Sequence, residues 1–300
     1  MNCKKLILHI GPHKTGTTAL QSFFSENRGL LEEHALYYPH AGCIFGGHHN
    51  LAWESILGAR FNPKHGGWTQ LLQELANLDG RQTVILSSED FSIIPVYQVS
   101  QIFQALNGWD ITVLCVYRPL QDFIKSFYAE EVKNGKTCLS LNAFAADKIA
   151  FDQRVQMDRY LSMLTDNFRV KIKVMTYGDD VVPRIMAFLG LPSKASEKIA
   201  WANKRVSNDN LKRILAHRRL HCDSNWLNYY FQFVSPFLSK QAPLGNEMAP
   251  EADFVLGQDV AEVLAGHDDR NIRFFGAHAG IEYDQSTQLS GTTRSLSLNG

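Results

Sequence analysis

The side chains best suited to chemistry near the amino terminus are Gly11, His13, Lys14, Thr15, Gly16, Thr17 and Thr18, in the run GPHKTGTT. Glycines at both ends let the backbone turn tightly and point its N–H groups inward. Lys14 adds a full positive charge, and the threonines add hydroxyl donors. At the start of a helix, where the first amides have no intrahelical partner, such a group makes a phosphate cradle. The position of the lysine narrows the chemistry. A nucleotide-triphosphate loop reads G-x-x-x-x-G-K-[ST]. Gly11 and Gly16 keep that glycine spacing, but Thr17 follows Gly16 and the lysine precedes it. Anion binding survives this departure, while ATPase or kinase chemistry is weakened.

Three other places offer reactive groups. Glu89 follows the apolar run Thr83–Ser87 within Ser88-Glu89-Asp90-Phe91. A carboxylate at the carboxyl end of a strand in an open α/β sheet faces the ligand crevice, which makes Glu89 a candidate general base. Asp90 is expected to cap a helix. Gly46-Gly47-His48-His49 has the composition of a mobile segment whose imidazoles suit proton transfer. No Cys, Asp or Glu stands near it at ligand spacing, so no metal is expected there. Arg118 directly follows a third apolar strand, and Ser126 lies two turns into the next helix.

The elements that must position these groups alternate along the chain. Strands are expected at Leu6–Ile10, Thr83–Ser87, Ile111–Tyr117 and Phe168–Met175, with Leu36–Tyr38 extended. Helices are expected from Thr17 to about Ala35 with a break near Asn27-Arg28-Gly29, then over 51–57, 68–78, 99–106 and onward from Pro119. Two more cover Asp152–Leu164 and Val182–Leu189, with Gly190 as the C-terminal cap. Strands separated by helices, and the absence of polar alternation in Ile111–Tyr117, indicate an α/β chain: a three-layer fold around a mainly parallel central sheet. From about residue 208 the pattern becomes helical, over 211–221, 226–238, 253–264 and 268–275, with no further strand expected. We read one α/β domain over 1–276, with this helical elaboration packed on it and a disordered tail over 286–300.

Bulk properties exclude several classes. Thirty basic residues balance thirty acidic ones in 300, so no global field draws the chain to nucleic acid. No apolar run is long enough for a membrane span, and the first residues lack a signal-peptide stretch. Five scattered cysteines without a CxxC pair argue against structural zinc and for thiols in a reducing cytoplasm.

With these pieces placed, the chain resembles the nucleotide-sulfate-dependent sulfotransferases, most of all their bacterial carbohydrate-type branch. Three stretches carry the resemblance: GPHKTGTTALQ (Gly11–Gln21), LSSEDF (Leu86–Phe91) and VYRPLQDFIKSFY (Val116–Tyr128). Weaker similarities begin at His48 (HHNLA), Ala202 (ANKRVSNDNL) and Asp268 (DDRNIRFFG). The resemblance implies a P-loop-like fold and transfer of a sulfuryl group from 3′-phosphoadenosine 5′-phosphosulfate to a hydroxyl or amine of a carbohydrate or glycolipid, without a metal. It implies that Gly11, His13, Lys14, Thr15, Gly16, Thr17 and Thr18 hold the 5′-phosphosulfate, with Lys14 on the leaving oxygen. Arg118 and Ser126 would hold the 3′-phosphate, and Lys204, Arg205 and Ser207 would close over the nucleotide. The base varies among relatives, so Glu89 stands first, and His49, with His48 beside it, second. A small-metabolite P-loop kinase and a non-catalytic nucleotide- or glycan-binding protein remain the alternatives. The sequence leaves the acceptor and the oligomeric state open.

Overall fold

The computed structural model describes residues 4–13, 15–78, 82–192, 208–220, 254–278 and 281–284. Its apolar runs become the strands β1 (Lys5–His9), β3 (Thr83–Ser87), β4 (Asp110–Tyr117) and β5 (Val170–Thr176). Short strands β2 (Leu36–Tyr37) and β6 (Ile281–Asp284) complete a six-stranded sheet in the order β2-β3-β1-β4-β5-β6. Every neighbouring pair is parallel. The described residues group into two compact units, one from Met1–Arg118, Gln156–Trp201 and Asn271–Gly300, the other from Pro119–Val155 and Ala202–Arg270.

In the first unit, alternate strand residues go to opposite faces, and both faces are covered, which explains why β3 and β4 read as apolar runs. Leu6, Leu8, Val84, Leu86, Val113, Cys115, Ile172 and Val174 form one face. It is covered by α3 (His49–Ser55), α4 (Trp68–Ala76), α5 (Val96–Ala105) and α8 (Met157–Asn167). Ile7, Ile85, Leu114, Val116 and Met175 form the other face, under α1 (Thr17–Glu26), α2 (Arg28–Glu33) and α9 (Val181–Phe188). The result is a three-layer α/β arrangement. After β1 the chain turns toward β2 on one side of the sheet, and after β4 it turns toward β5 on the other. The carboxyl ends of β1 and β4 therefore flank a switch point, where open α/β sheets hold their ligands.

The second unit is helical: α6 (Leu120–Lys133), α7 (Leu141–Phe151) and α10 (Asn208–Leu220) share a core. Phe123, Phe127, Tyr128, Phe144, Ile214 and Leu215 fill it. The last helix, α11 (Gln258–Ala277), runs on into the first unit's residues.

Four expectations are corrected. A strand does occur after residue 211, since β6 pairs with β5 from Ile172↔Ile281 to Met175↔Asp284. Its sequence IEYD is too short and polar to be read as a strand, and its place at the sheet edge explains why that composition suffices. Leu141–Phe151, where no element is expected above, is α7. Asp152–Gln156, read as the start of a helix, is a turn in which Asp152 and Arg154 pair at 2.6 Å, and α8 begins only at Met157. The two helices expected at 253–264 and 268–275 are one, α11, which continues through Gly266. The segments at 226–238 and 286–300 lie outside the described residues.

Candidate functional site

The loop between β1 and α1 starts from a tight approach. Gly11 has φ +81°, and a Cβ there would stand 2.8 Å from Glu89 Cα. Only glycine allows both the left-handed turn and that contact between the loop and the end of β3. Gly11 is anchored from the other side by Val116, whose N–H donates to its carbonyl at 2.9 Å. The loop closes internally through Thr15, which is buried and donates its hydroxyl to the Pro12 carbonyl at 2.6 Å. Gly16, at φ +80°, is the N-cap of α1, with no side-chain cap and no acidic residue in the first turn. Thr17 is buried and Thr18 exposed. A helix start left uncapped and free of carboxylates presents its amides and partial positive charge to an anion.

Glu89 begins a 3-10 turn, Glu89–Ile93, directly after β3. The cap of that turn is Ser88, whose Oγ accepts from the Asp90 N–H at 3.1 Å, so the capping role expected for Asp90 belongs to its neighbour. Three elements converge on the Glu89 carboxylate. From α1, Gln21 Nε2 donates to Oε2 at 2.9 Å. From α3, His49 Nδ1 stands 3.8 Å from Oε2 and is bonded to Ser88 Oγ at 2.8 Å. From the loop between β1 and α1, His13 Nδ1 stands 3.7 Å from Oε1. His13 also bonds through Nε2 to Asp90 Oδ1 at 3.0 Å, and Trp53 Nε1 donates to Asp90 Oδ2 at 2.7 Å. Trp53 lies one turn along α3 from His49, and their rings stack at 5.9 Å. Gly47 makes room for this packing, since a Cβ there would meet His49 Nε2 at 2.7 Å and Gln21 Cδ at 2.9 Å.

Burial separates these groups electrically. Burial alone would push the Asp90 carboxyl up. Its hydrogen bond from His13, the His13 charge and the Trp53 bond outweigh that and hold it down at about 2. Burial pushes His9, at the end of β1, down to about 4 against the opposing Glu89 charge. His9 is therefore neutral at pH 7. Its Nδ1 meets Ser87 Oγ at 2.7 Å. Burial likewise lowers His48 to about 3. His48 Nε2 meets the Pro39 carbonyl at 3.0 Å, and its Nδ1 accepts from the Ser87 N–H at 3.1 Å. Both nitrogens are thus tied to main chain, and His48 is fully buried. The segment expected to be mobile is instead an internal support that holds His49 in place.

Arg118 directly follows β4, at the same end of the sheet as the Gly11 loop, and its guanidinium lies 4.8 Å from the centre of the Tyr177 ring. Ser126 is half-buried on α6, in the second unit. Lys14, Lys204, Arg205 and Ser207 lie outside the described residues. The structure thus brings Gly11, His13, Glu89 and His49 together within the first unit. Gln21, Trp53 and the Asp90–His13 pair were missed by sequence reasoning. One signal for Gln21 was available: it sits on the apolar stripe of α1 with Thr17, Leu20 and Phe24, where an amide must find a partner.

Among the described residues, no cluster of His, Cys, Asp and Glu side chains is placed to hold a metal ion. None of the described helices is long and apolar enough to cross a membrane. No known protein-family model matches this chain, and no curated protein matches it.

Proposed function

We propose that this protein is a sulfotransferase that moves a sulfuryl group from 3′-phosphoadenosine 5′-phosphosulfate to a hydroxyl or amine of a carbohydrate or glycolipid. The observation that carries the reading is the contact of Gly11 with Glu89, which packs the end of β3 against the loop that leads into the uncapped start of α1. The residues fit such a donor: left-handed glycines, the amides of α1, and an arginine at the end of the adjacent strand. When bound, the nucleotide supplies the activated sulfuryl group. Glu89 accepts the proton of the acceptor as its oxygen or nitrogen takes on the new bond to sulfur. The α1 amides and Lys14 stabilise the negative charge of the departing phosphate oxygen. Arg118 reads the 3′-phosphate, which distinguishes this donor from ATP. His13 and His49 flank the carboxylate and hold its position. The reading includes a cytoplasmic location, which suits the thiols Cys43 and Cys115.

Calorimetry with adenosine 3′,5′-bisphosphate and with ATP, each with and without Mg²⁺, tests the donor. Tight, Mg²⁺-independent binding of the bisphosphate supports the reading, and Mg²⁺-dependent preference for ATP overturns it in favour of a kinase. Lys14→Ala should abolish sulfuryl transfer while leaving the thermal midpoint unchanged.

A further inference from the structure

We infer that Gln21 is a positioning residue that gives the two oxygens of Glu89 different work, fixing Oε2 and leaving Oε1 to receive the acceptor's proton. The inference rests on the reading of Glu89 as the base. The Gln21 amide nitrogen has two N–H groups, and two acceptors face it: Glu89 Oε2 at 2.9 Å and Ser87 Oγ at 3.2 Å. Ser87 Oγ is in turn bonded to His9 Nδ1 at 2.7 Å. A continuous hydrogen-bonded chain therefore runs from β1 through β3 and α1 to the carboxylate. Its members are almost entirely buried, with His9 and Gln21 each 1% exposed and Ser87 0%. Buried chains of this kind hold side chains in one geometry.

The surroundings of the two oxygens differ accordingly. Oε2 is enclosed by Gln21 and, at 3.8 Å, His49. Oε1 faces His13, the more exposed imidazole, whose side chain is 28% exposed against 9% for His49. The charged and titratable groups facing Glu89 are thus His13 from the loop, His49 from α3 and His9 from β1, with Asp90 and Tyr38 close by. Gln21 is the neutral donor among them. It fixes one oxygen by hydrogen bonding without adding a charge that would oppose proton uptake by the other.

Two experiments separate this inference from the functional reading. In the wild-type protein, the side-chain amide resonance of Gln21 should move as Glu89 titrates, and the movement should vanish in Glu89→Gln. A resonance that ignores pH, or moves equally in both proteins, overturns the inference whatever the enzyme's activity. The second experiment reads turnover. Gln21→Met, close in size but without N–H groups, should lower kcat about 10- to 100-fold and leave the KM for the nucleotide within about twofold. Gln21→Glu would place two carboxylates at hydrogen-bond distance, where they cannot both ionise. It should shift the acidic limb of the kcat profile upward by about one pH unit or more. A Gln21 that only supports the fold would lower the thermal midpoint in both variants and leave the limb in place, which overturns the inference. Wild-type protein that binds the bisphosphate but transfers no sulfuryl group would sink the functional reading, while the amide resonance would still decide whether Gln21 holds Glu89.

Discussion

Two clusters of charge sit on the same sheet and behave in opposite ways. At the carboxyl ends of β1 and β3, the half-buried Glu89 and the buried Asp90 are packed against His13, His49, Gln21 and Trp53. At the amino-terminal side of β4 and β5, Lys171 pairs with Asp110 at 2.9 Å, and Lys173 with Glu282. Lys171, Lys173 and Glu282 of this second cluster line an open cavity of about 420 Å³ with Thr112 and Phe188. A cavity with two lysines looks at first like the better anion site. Its lysines, however, each hold a carboxylate, so the charges close on themselves. In the first cluster the carboxylates are met by imidazoles, a side-chain amide and an indole N–H, with no lysine or arginine closing on them among the contacts above. Net charge and cavity size alone would have chosen the opposite end of the sheet from the one proposed here. What distinguishes the first cluster is its place beside an uncapped helix start at a switch point.

The comparison breaks most sharply under matched substitutions. Glu89→Gln keeps the size of the side chain and an acceptor for Gln21, and should lower kcat for sulfuryl transfer about 10²- to 10⁴-fold. Glu282→Gln, in the other cluster, should leave kcat within about twofold. Equal effects would mean that the two clusters do not differ in kind.

This difference was only partly legible in the amino-acid sequence. Apolar runs announced β1, β3 and β4, because a strand covered on both faces needs no alternation, and β5 showed instead through the alternation of Val170, Ile172 and Val174 with Lys171 and Lys173. The β6 edge strand gave no such run. The sequence of α7, LNAFAADKIAF, has apolar residues on every side, with Phe144 buried and Phe151 exposed, so no stripe was visible. The gap left between the spans 253–264 and 268–275 holds Gly266, yet a single glycine inside a long helix costs only about 1 kcal/mol. Glu89 could be found because its position at a strand end is local information. Its partners could not, since Gln21 and His49 are brought to it by α1 and α3 across 68 and 40 residues of chain.

Acidification should sharpen the contrast next. Unfolded histidines take up a proton near pH 6.5, whereas burial holds His9 near 4 and His48 near 3. As pH falls the unfolded chain binds these protons first, so the folded state loses stability below about 6.5. The loss ends near pH 4 for His9 and near 3 for His48. Each histidine should remove about 2 kcal/mol between pH 6.5 and 5. Asp90, held at about 2, adds a separate loss only as pH falls from 3.8 toward 2. Urea midpoints between pH 7.5 and 4.5 measure the first phase, and His48→Gln should roughly halve its slope. A flat profile would mean that the histidine-lined end is more hydrated than its burial implies.

Arg118→Ala probes the same end of the sheet with a smaller effect. Losing a charge-assisted bond to phosphate costs about 1.5–3 kcal/mol, or roughly 10- to 100-fold in affinity. The loss should fall on adenosine 3′,5′-bisphosphate and spare AMP. Calorimetry with both nucleotides checks it, and equal weakening would mean that Arg118 does not read the 3′-phosphate.

The smallest effect belongs to the opposite cluster. The Lys171 side chain is 69% exposed and that of Asp110 35%, so water competes for both charges. Exposed pairs of this kind contribute about 0–1 kcal/mol, and salt screens them further. Lys171→Ala should therefore shift stability by less than about 1 kcal/mol, and the shift should shrink as salt is raised from 0.05 to about 0.5 M. Phosphate titrated into the wild-type protein should leave the Lys171 and Lys173 ammonium resonances unmoved, because each already has its counter-charge. A larger, salt-resistant loss, or ammonium resonances that follow phosphate, would show a lysine held ready for a ligand, and the two ends of the sheet would then differ in degree alone.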